Sequence, residues 1–303
     1  MSFSDEVRSE VRRTINDRDK RFACLYGMLL YTRIFTEKQI CLQSESEDVA
    51  ELVPELFRSV FHHRLTADER SESGLCSYTI TDSQLLGSIC STYQTDPSCR
   101  EINLRNIVNN STSAFLAGAF FICGSVTNPD KEYHLEFVTP SEILCKDLNA
   151  ILASFGVTGR MIQRKKSFVL YIKDSEHIED TLTFMGAQQC TLDLMNIKIH
   201  KDMRNKANRL RNCDEANINK VVNAAMRQTE DILLLMERGE LESLSPEIQE
   251  AAKLRLENPE LSLKEIGELL TVPIGRSGVN HRFQKIAAIA KELRDNESKS
   301  ASE

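Results

Sequence analysis

Apolar positions in this 303-residue chain recur at helical three- and four-residue steps over long stretches, with short strand-like runs between them. From Glu47 to His62, Val49, Leu52, Val53, Leu56, Val60 and Phe61 form one helical stripe. Leu75 to Thr81 is strand-like, and Ser83 to Tyr93 is helical again. The next stretch predicts a helix from Ser113 to Cys123 and a strand from Tyr133 to Thr139. A helix follows from Ser141 to Phe155, with Ser141 as cap and Gly156 as stop. Two strands, Gly159 to Arg164 and Phe168 to Lys173, flank the charged turn Lys165-Lys166-Ser167, and a helix from Ser175 to Met185 ends at Gly186. The expected fold class is α+β for this part.

The pattern repeats. Gly27 corresponds to Gly118, Cys41-Leu42-Gln43-Ser44 to Leu135-Glu136-Phe137-Val138, and Ser77 to Ser83 to Val169 to Ser175, at offsets of 91, 94 and 92 residues. A nearly constant offset implies duplication, each half reading as a helix, a strand, a helix, a strand or hairpin, and a closing helix. Gly27 and Gly118, with Ala117, leave a bare face on each of two helices, which lets their backbones pack closely and joins the two halves as a saddle. The run Phe115 to Val126, FLAGAFFICGSV, resembles the motif helix of LAGLIDADG homing endonucleases. That resemblance implies a duplicated αββαββα saddle and a carboxylate at each motif-helix end to hold a divalent metal; the equivalent positions here are Thr32 and Cys123. A neutral hydroxyl and a neutral thiol do not supply the hard anionic oxygens such chemistry needs. No catalytic residue, no metal and no cofactor are therefore expected.

After residue 195 the pattern is helical throughout. Val221, Val222, Ala225, Ile232, Leu233 and Leu235 predict one apolar face, interrupted at Gly239. Ser245-Pro246 opens a helix to Glu257 with Ser245 as N-cap; Ser262 caps a second, with Glu265 completing a capping box. Thr271 to Gly275 is a turn, and the helix beyond it buries Val279, Phe283, Ile286, Ile289, Ala290 and Leu293. Two helices around a short Gly/Pro turn are how a reading helix is presented to the major groove. The outward residues expected to contact DNA are Arg276, Ser277, Asn280, His281, Arg282 and Gln284 or Lys285, with Ser262 and Lys264 reaching a phosphate. A polar face on any three-helix domain looks similar, and His281 alone reads equally as a surface histidine.

Charge sharpens this division. The net charge of −7 resides in residues 1–195, with 20 Lys+Arg against 27 Asp+Glu, while residues 196–303 hold 18 of each. Between Lys198 and Arg211 six cations face only Asp202, so Arg204, Lys206, Arg209 and Arg211 are candidates for DNA-backbone contacts. Nine cysteines, an odd number with no C-x-x-C pair, read as reduced thiols, mostly buried. No apolar run reaches the length of a membrane span and the charged start lacks a signal core, so a cytoplasmic, nucleoid-associated protein is expected.

The degenerate motif, the stretch Met203 to Arg209, and the runs Leu261 to Leu270 and Ser277 to Arg282 together resemble the WhiA family of bacterial regulators. That resemblance implies a DNA-binding protein without nuclease activity, whose helix-turn-helix is similar to the promoter-reading domain of sigma factors. It also implies a role in sporulation, transcription control, cell division or chromosome segregation. The expected division is a degenerate LAGLIDADG-like domain over 1–195 (repeats at about 20–105 and 110–195), a basic connector over 196–218, a helix-turn-helix domain over 219–297 and a disordered tail over 298–303. Double-stranded DNA is the expected partner, with a protein partner for the acidic first domain. Two other readings stand beside this one: an architectural nucleoid or division scaffold, and a residual endonuclease using Glu136 or Asp147.

Overall fold

The computed structural model describes residues 2–68, 74–108 and 110–300, with side chains described through residue 296. It divides into two compact units, residues 1–202 and 203–303.

Unit 1 opens with helix α1 (Phe3–Arg12), which the charged start conceals. Ser2 and Asp5 form its capping box, and Phe3, Val7 and Val11 lie at helical spacing on the buried side. The first repeat follows as α2 (Arg18–Tyr31), β1 (Ile34–Phe35), β2 (Ile40–Ser44), α3 (Glu47–Phe61), β3 (Cys76–Ile80) and α4 (Ser83–Tyr93). The second is α5 (Thr112–Cys123), β4 (Gly124–Val126), β5 (Leu135–Thr139), α6 (Glu142–Ser154), β6 (Arg160–Arg164), β7 (Ser167–Ile172) and α7 (Ser175–Met185). The second repeat is αββαββα as expected. The first shows no counterpart of β6 among the described residues, and its sheet has the order β1-β2-β3 against β4-β5-β7-β6 in the second. The central pairings correspond, β2 antiparallel to β3 and β5 antiparallel to β7.

The glycines of the repeat act as expected. A methyl group at Gly27 would overlap the carbonyl oxygen of Phe115, and one at Gly118 that of Cys24. Only glycine permits α2 and α5 to meet backbone to backbone. Around this contact Leu25, Met28, Leu29, Phe115, Leu116 and Phe120 are almost wholly buried, giving unit 1 a continuous apolar core.

Helix α8 (Gln188–Glu237) is fifty residues long, and the division between the units falls within it. The stretch read as a connector is thus helical throughout. Unit 2 continues with α9 (Pro246–Glu257), α10 (Leu263–Leu269) and α11 (Arg276–Ser300). Its own core joins Ile232 and Leu235 to Ile248, Ala251, Ala252, Ile266, Leu270, Val279, Phe283, Ile286 and Ala290. The apolar face expected on α8 is narrower than its sequence implied: Ala225, Ile232 and Leu235 are buried, whereas Val221, Val222 and Leu233 are exposed. Ser245 stands at the N-cap of α9 but its side chain makes no capping bond. Of the tail expected over 298–303, residues 298–300 continue α11 and 301–303 lie outside the described residues.

Candidate nucleic-acid interface

Thr32 follows the last residue of α2, and Cys123 is the last residue of α5, so both occupy the ends of the motif helices. Neither offers an oxygen to a cation. Thr32 is buried and its hydroxyl donates to the Cys41 carbonyl. Desolvation, with Cys145 nearby, pushes the Cys123 thiol well up, so it stays protonated at neutral pH.

Guanidinium groups, not carboxylates, meet both helix ends. Arg100 Nη1 donates to the carbonyls of Leu30 at 3.1 Å and Thr32 at 2.6 Å, and Arg8 Nη2 donates to that of Gly124 at 2.8 Å. A cation at a helix carboxyl end is favoured by the carbonyl dipoles gathered there. A second cation beside these arginines would meet repulsion, and the Asp5 carboxylate next to Arg8 is already paired with that arginine at 3.0 Å. No group of three or more His, Cys, Asp or Glu side chains suited to a metal occurs among the described residues. The residues therefore do not fit a divalent metal.

The two carboxylates of the endonuclease alternative are also engaged elsewhere. Glu136 lies 3.2 Å from His134 Nε2 and 3.7 Å from Arg164, and Asp147 accepts the Ile102 amide at 3.1 Å.

In unit 2 the start of α10 and the turn between α10 and α11 are built by short local contacts. The Ser262 hydroxyl accepts the Glu265 amide at 3.3 Å and the Glu265 carboxylate accepts the Ser262 amide at 2.7 Å. Ile274 N–H donates to Gly267 O at 3.1 Å, and a side chain at Gly267 would strike the Ile274 carbonyl. Glu250 on α9 accepts both the amide and the hydroxyl of Thr271, fastening the turn's start.

With Val279, Phe283, Ile286 and Ala290 turned into the core, α11 presents Ser277, His281, Gln284 and Lys285 outward. Arg276 is exposed at its start and Asn280 is half-buried. Arg282, expected on this outer face, is instead turned inward: its side chain is 13% exposed, pairs with Glu247 at 3.6 Å and donates to the Glu247 carbonyl at 3.2 Å. Position 282 lies one step round the helix from buried Phe283, and the long side chain folds back over the start of α9.

The structure also brings together residues the sequence did not single out. A cavity of about 350 Å³ has Ser262, Lys264 and Arg276 on its wall, with Lys220 and Gln228 of α8 and Arg255 of α9. Arg255 is 2% exposed and lies over the Phe283 ring. Its Nη1 donates to Leu261 O at 2.6 Å and its Nε to Gln228 at 3.1 Å, with no carboxylate within ion-pair distance among the described residues. The available signal was Arg255 at the fourth place of the row Ile248, Ala251, Ala252, a cation in a core position. On α8, Arg204, Lys206, Arg209 and Arg211 are all exposed. Lys198 is held by Glu179 at 3.3 Å and Lys201 donates to Pro129 O at 2.6 Å.

Fold and site define a two-unit protein: a duplicated LAGLIDADG-like α+β unit whose motif helices have lost their carboxylates, and a helical unit carrying a helix-turn-helix. Residues 112–204 match the WhiA LAGLIDADG-like domain and residues 207–290 the WhiA C-terminal HTH domain. The chain belongs to the WhiA family. It is 50% identical over 181 residues to the probable cell division protein WhiA of Clostridium beijerinckii, covering 60% of this chain and 58% of that protein. With its counterpart in Clostridium perfringens strain 13 it shares 51% over 181 residues, 60% of this chain and 57% of that one. The matched stretch thus spans less than two thirds of these curated relatives. The crystal structure of full-length WhiA from Thermotoga maritima shares the fold, with a TM-score of 0.59 at 23% identity over 96% of this chain and 99% of that one. So does the N-terminal LAGLIDADG domain of a WhiA protein, at 0.50 and 20% identity over 62% of this chain and 91% of that one. No helix among the described residues is long and apolar enough to cross a membrane.

Proposed function

We propose that this chain is a double-stranded-DNA-binding regulator without strand-cleaving activity, acting in cell division or in transcription control linked to it. Residues 219–297 serve as its DNA-binding part. The observation that carries the reading is the outer face of α11, where Arg276, Ser277, His281, Gln284 and Lys285 are exposed on a helix whose other side is core. Side chains of these types hydrogen-bond base edges and phosphates, and a helix held rigidly by its buried face presents them in fixed register. Asn280 stands at the margin of that face; Arg282 acts by holding α11 against α9. The relatives' name, probable cell division protein, supports the cellular role. The guanidinium groups at the ends of α2 and α5 support the absence of metal-dependent cleavage. Unit 1, which holds the chain's acidic excess, is assigned to a protein partner.

Selection from a random duplex pool tests this. One enriched motif, lost with Ser277→Ala plus Lys285→Ala while the melting temperature stays unchanged, is the expected result. Salt-dependent binding without enrichment supports an architectural scaffold instead. Nicking of supercoiled plasmid with magnesium by the purified chain overturns the non-enzymatic reading.

A further inference from the structure

Within unit 2, the two flanks of α8 differ in charge. One borders the cavity where Lys220 meets Lys264, Arg276 and buried Arg255. The other borders an apolar groove where Val222 and Thr229 meet the acidic Glu230 and Glu260. Because an α-helix turns about 100° per residue, positions eleven or eighteen apart return to nearly the same side. Arg209 thus stands over Lys220, and Lys206 over Ala224, another wall residue of the cationic cavity. Arg204 stands over Val222 and Arg211 over Thr229, on the acidic groove's side. Glu215, four residues after Arg211, falls on that second side as well, and Asp214 stands over Ala225, which borders both; Cys213 and Asn217 place no charge in line between Arg209 and Lys220.

We propose that Lys206, Arg209 and Lys220 form a ridge that follows the DNA sugar-phosphate backbone away from the helix-turn-helix, and that Arg204 and Arg211 take no part in it. The three are exposed and form no ion pair among the described residues. From Lys206 to Lys220 the ridge runs about 21 Å at about 1.5 Å per residue, the rise of about six base pairs along the duplex axis at about 3.4 Å each. The cavity at its end adds Arg276 and Lys264, and Arg255 beneath them adds a guanidinium that no carboxylate pairs within ion-pair distance among the described residues, Glu260 acting on it only from further away. Phosphate is the chemistry that fits a row of unpaired cations ending in such a cavity. This assignment rests on the DNA-binding reading above and divides its four candidate backbone residues into two that contact phosphate and two that do not.

The full-length chain is titrated by fluorescence anisotropy with a 30-base-pair duplex across a series of salt concentrations. Each phosphate contact contributes about 0.9 to the slope of log K against log salt. The variant Lys206→Gln, Arg209→Gln, Lys220→Gln is expected to lower that slope by about 2 to 3 and the affinity at moderate salt by about a hundredfold. The variant Arg204→Gln, Arg211→Gln is expected to bind within about twofold of the native chain, for want of any counterion release. All five positions are solvent-facing and glutamine keeps the helix. Equal losses in the two variants, or none in the triple variant while the native chain binds, overturn the ridge and leave the DNA reading intact. No binding by the native chain at low salt overturns both.

Discussion

In unit 1 three arginines, Arg8, Arg12 and Arg100, are tied to the protein's own oxygens. Arg8 and Arg100 donate to backbone carbonyls, and Arg12 pairs with Asp48, Glu51 and Glu55 along α3 at 3.1, 2.8 and 3.4 Å. In unit 2, Lys206, Arg209, Lys220, Arg276 and Lys285 are exposed and form no ion pair among the described residues. Cations are present in both units, but the three arginines of the first complete the fold, whereas these five residues of the second remain available to a partner. Position relative to carbonyl ends and carboxylates, more than their number, separates a structural cation from a binding one. Total charge could not make that distinction.

The largest effect expected from this contrast lies in unit 1. Gly118→Ala forces a methyl group against the Cys24 carbonyl, so α2 and α5 must separate, at a cost of about 3 kcal/mol. Gly87→Ala, in the middle of α4 with nothing within 4 Å of the added carbon, is expected to stabilise by about 0.5 to 1 kcal/mol. Urea unfolding of the two variants measures both. Equal responses would mean that the close approach of the two helices does not hold unit 1 together. Neither change is expected to alter DNA affinity per folded molecule.

Arg255 tests the contrast from the other side, because it is a unit 2 arginine bonded as those of unit 1 are. Arg255→Met removes the donor to Leu261 O and Gln228 Oε1, leaving buried acceptors unsatisfied at about 2 to 3 kcal/mol. Hydrogen exchange of the full chain is expected to speed up across residues 246–290, with unit 1 unchanged. Unaltered exchange in that segment would remove Arg255 from the structural class and make it solely a wall of the cationic cavity.

Much of the fold was legible because local signals agreed with the global arrangement. Ser175–Met185 and Pro246–Glu257 have the bounds their caps and periodicity predict. Gly27 and Gly118 mark the close helix contact in the sequence itself. Helix α1 was obscured by its charges, although Phe3, Val7 and Val11 carry its period. Val221, Val222 and Leu233 misled because an apolar row on a long helix exceeds what one partner surface can cover. Among the candidate site residues, Ser277, His281 and Lys285 stand outward as their spacing implies. Arg282 does not, since a one-step displacement on a helix rotates a side chain by about 100° and a long one then finds the neighbouring element. Arg100 and Lys220 were out of reach because their neighbours, Thr32 and Arg276, are distant in sequence, and Arg255 was marked only by its core position, its acceptor Leu261 lying across a turn.

The smallest effect concerns a device shared by the two units, the capping box, formed by Ser2 with Asp5 and by Ser262 with Glu265. The Ser262 hydroxyl and amide hold the Glu265 carboxyl below its ordinary value. A carboxylate whose folded value is depressed contributes stability that is complete above the unfolded value, about 4.3, and is lost as pH falls through the folded one. Protection factors of the α10 amides, corrected for intrinsic exchange, are therefore expected to fall between about pH 5 and 3. Glu265→Gln keeps an acceptor for the Ser262 amide but does not titrate, so its protection should be flatter across the same range. At the start of α1 burial raises Asp5 while the Ser2 hydroxyl and amide, with Arg8, outweigh it, so the net shift is again downward. Acid should thus loosen the first turns of α1 and α10 together in the native chain, and α1 alone in Glu265→Gln. An identical acid profile at α10 in both proteins would show that the box does not titrate with folding. The response of the helix-turn-helix to acid would then have to come from Glu250, whose carboxyl the Thr271 amide and hydroxyl also hold low.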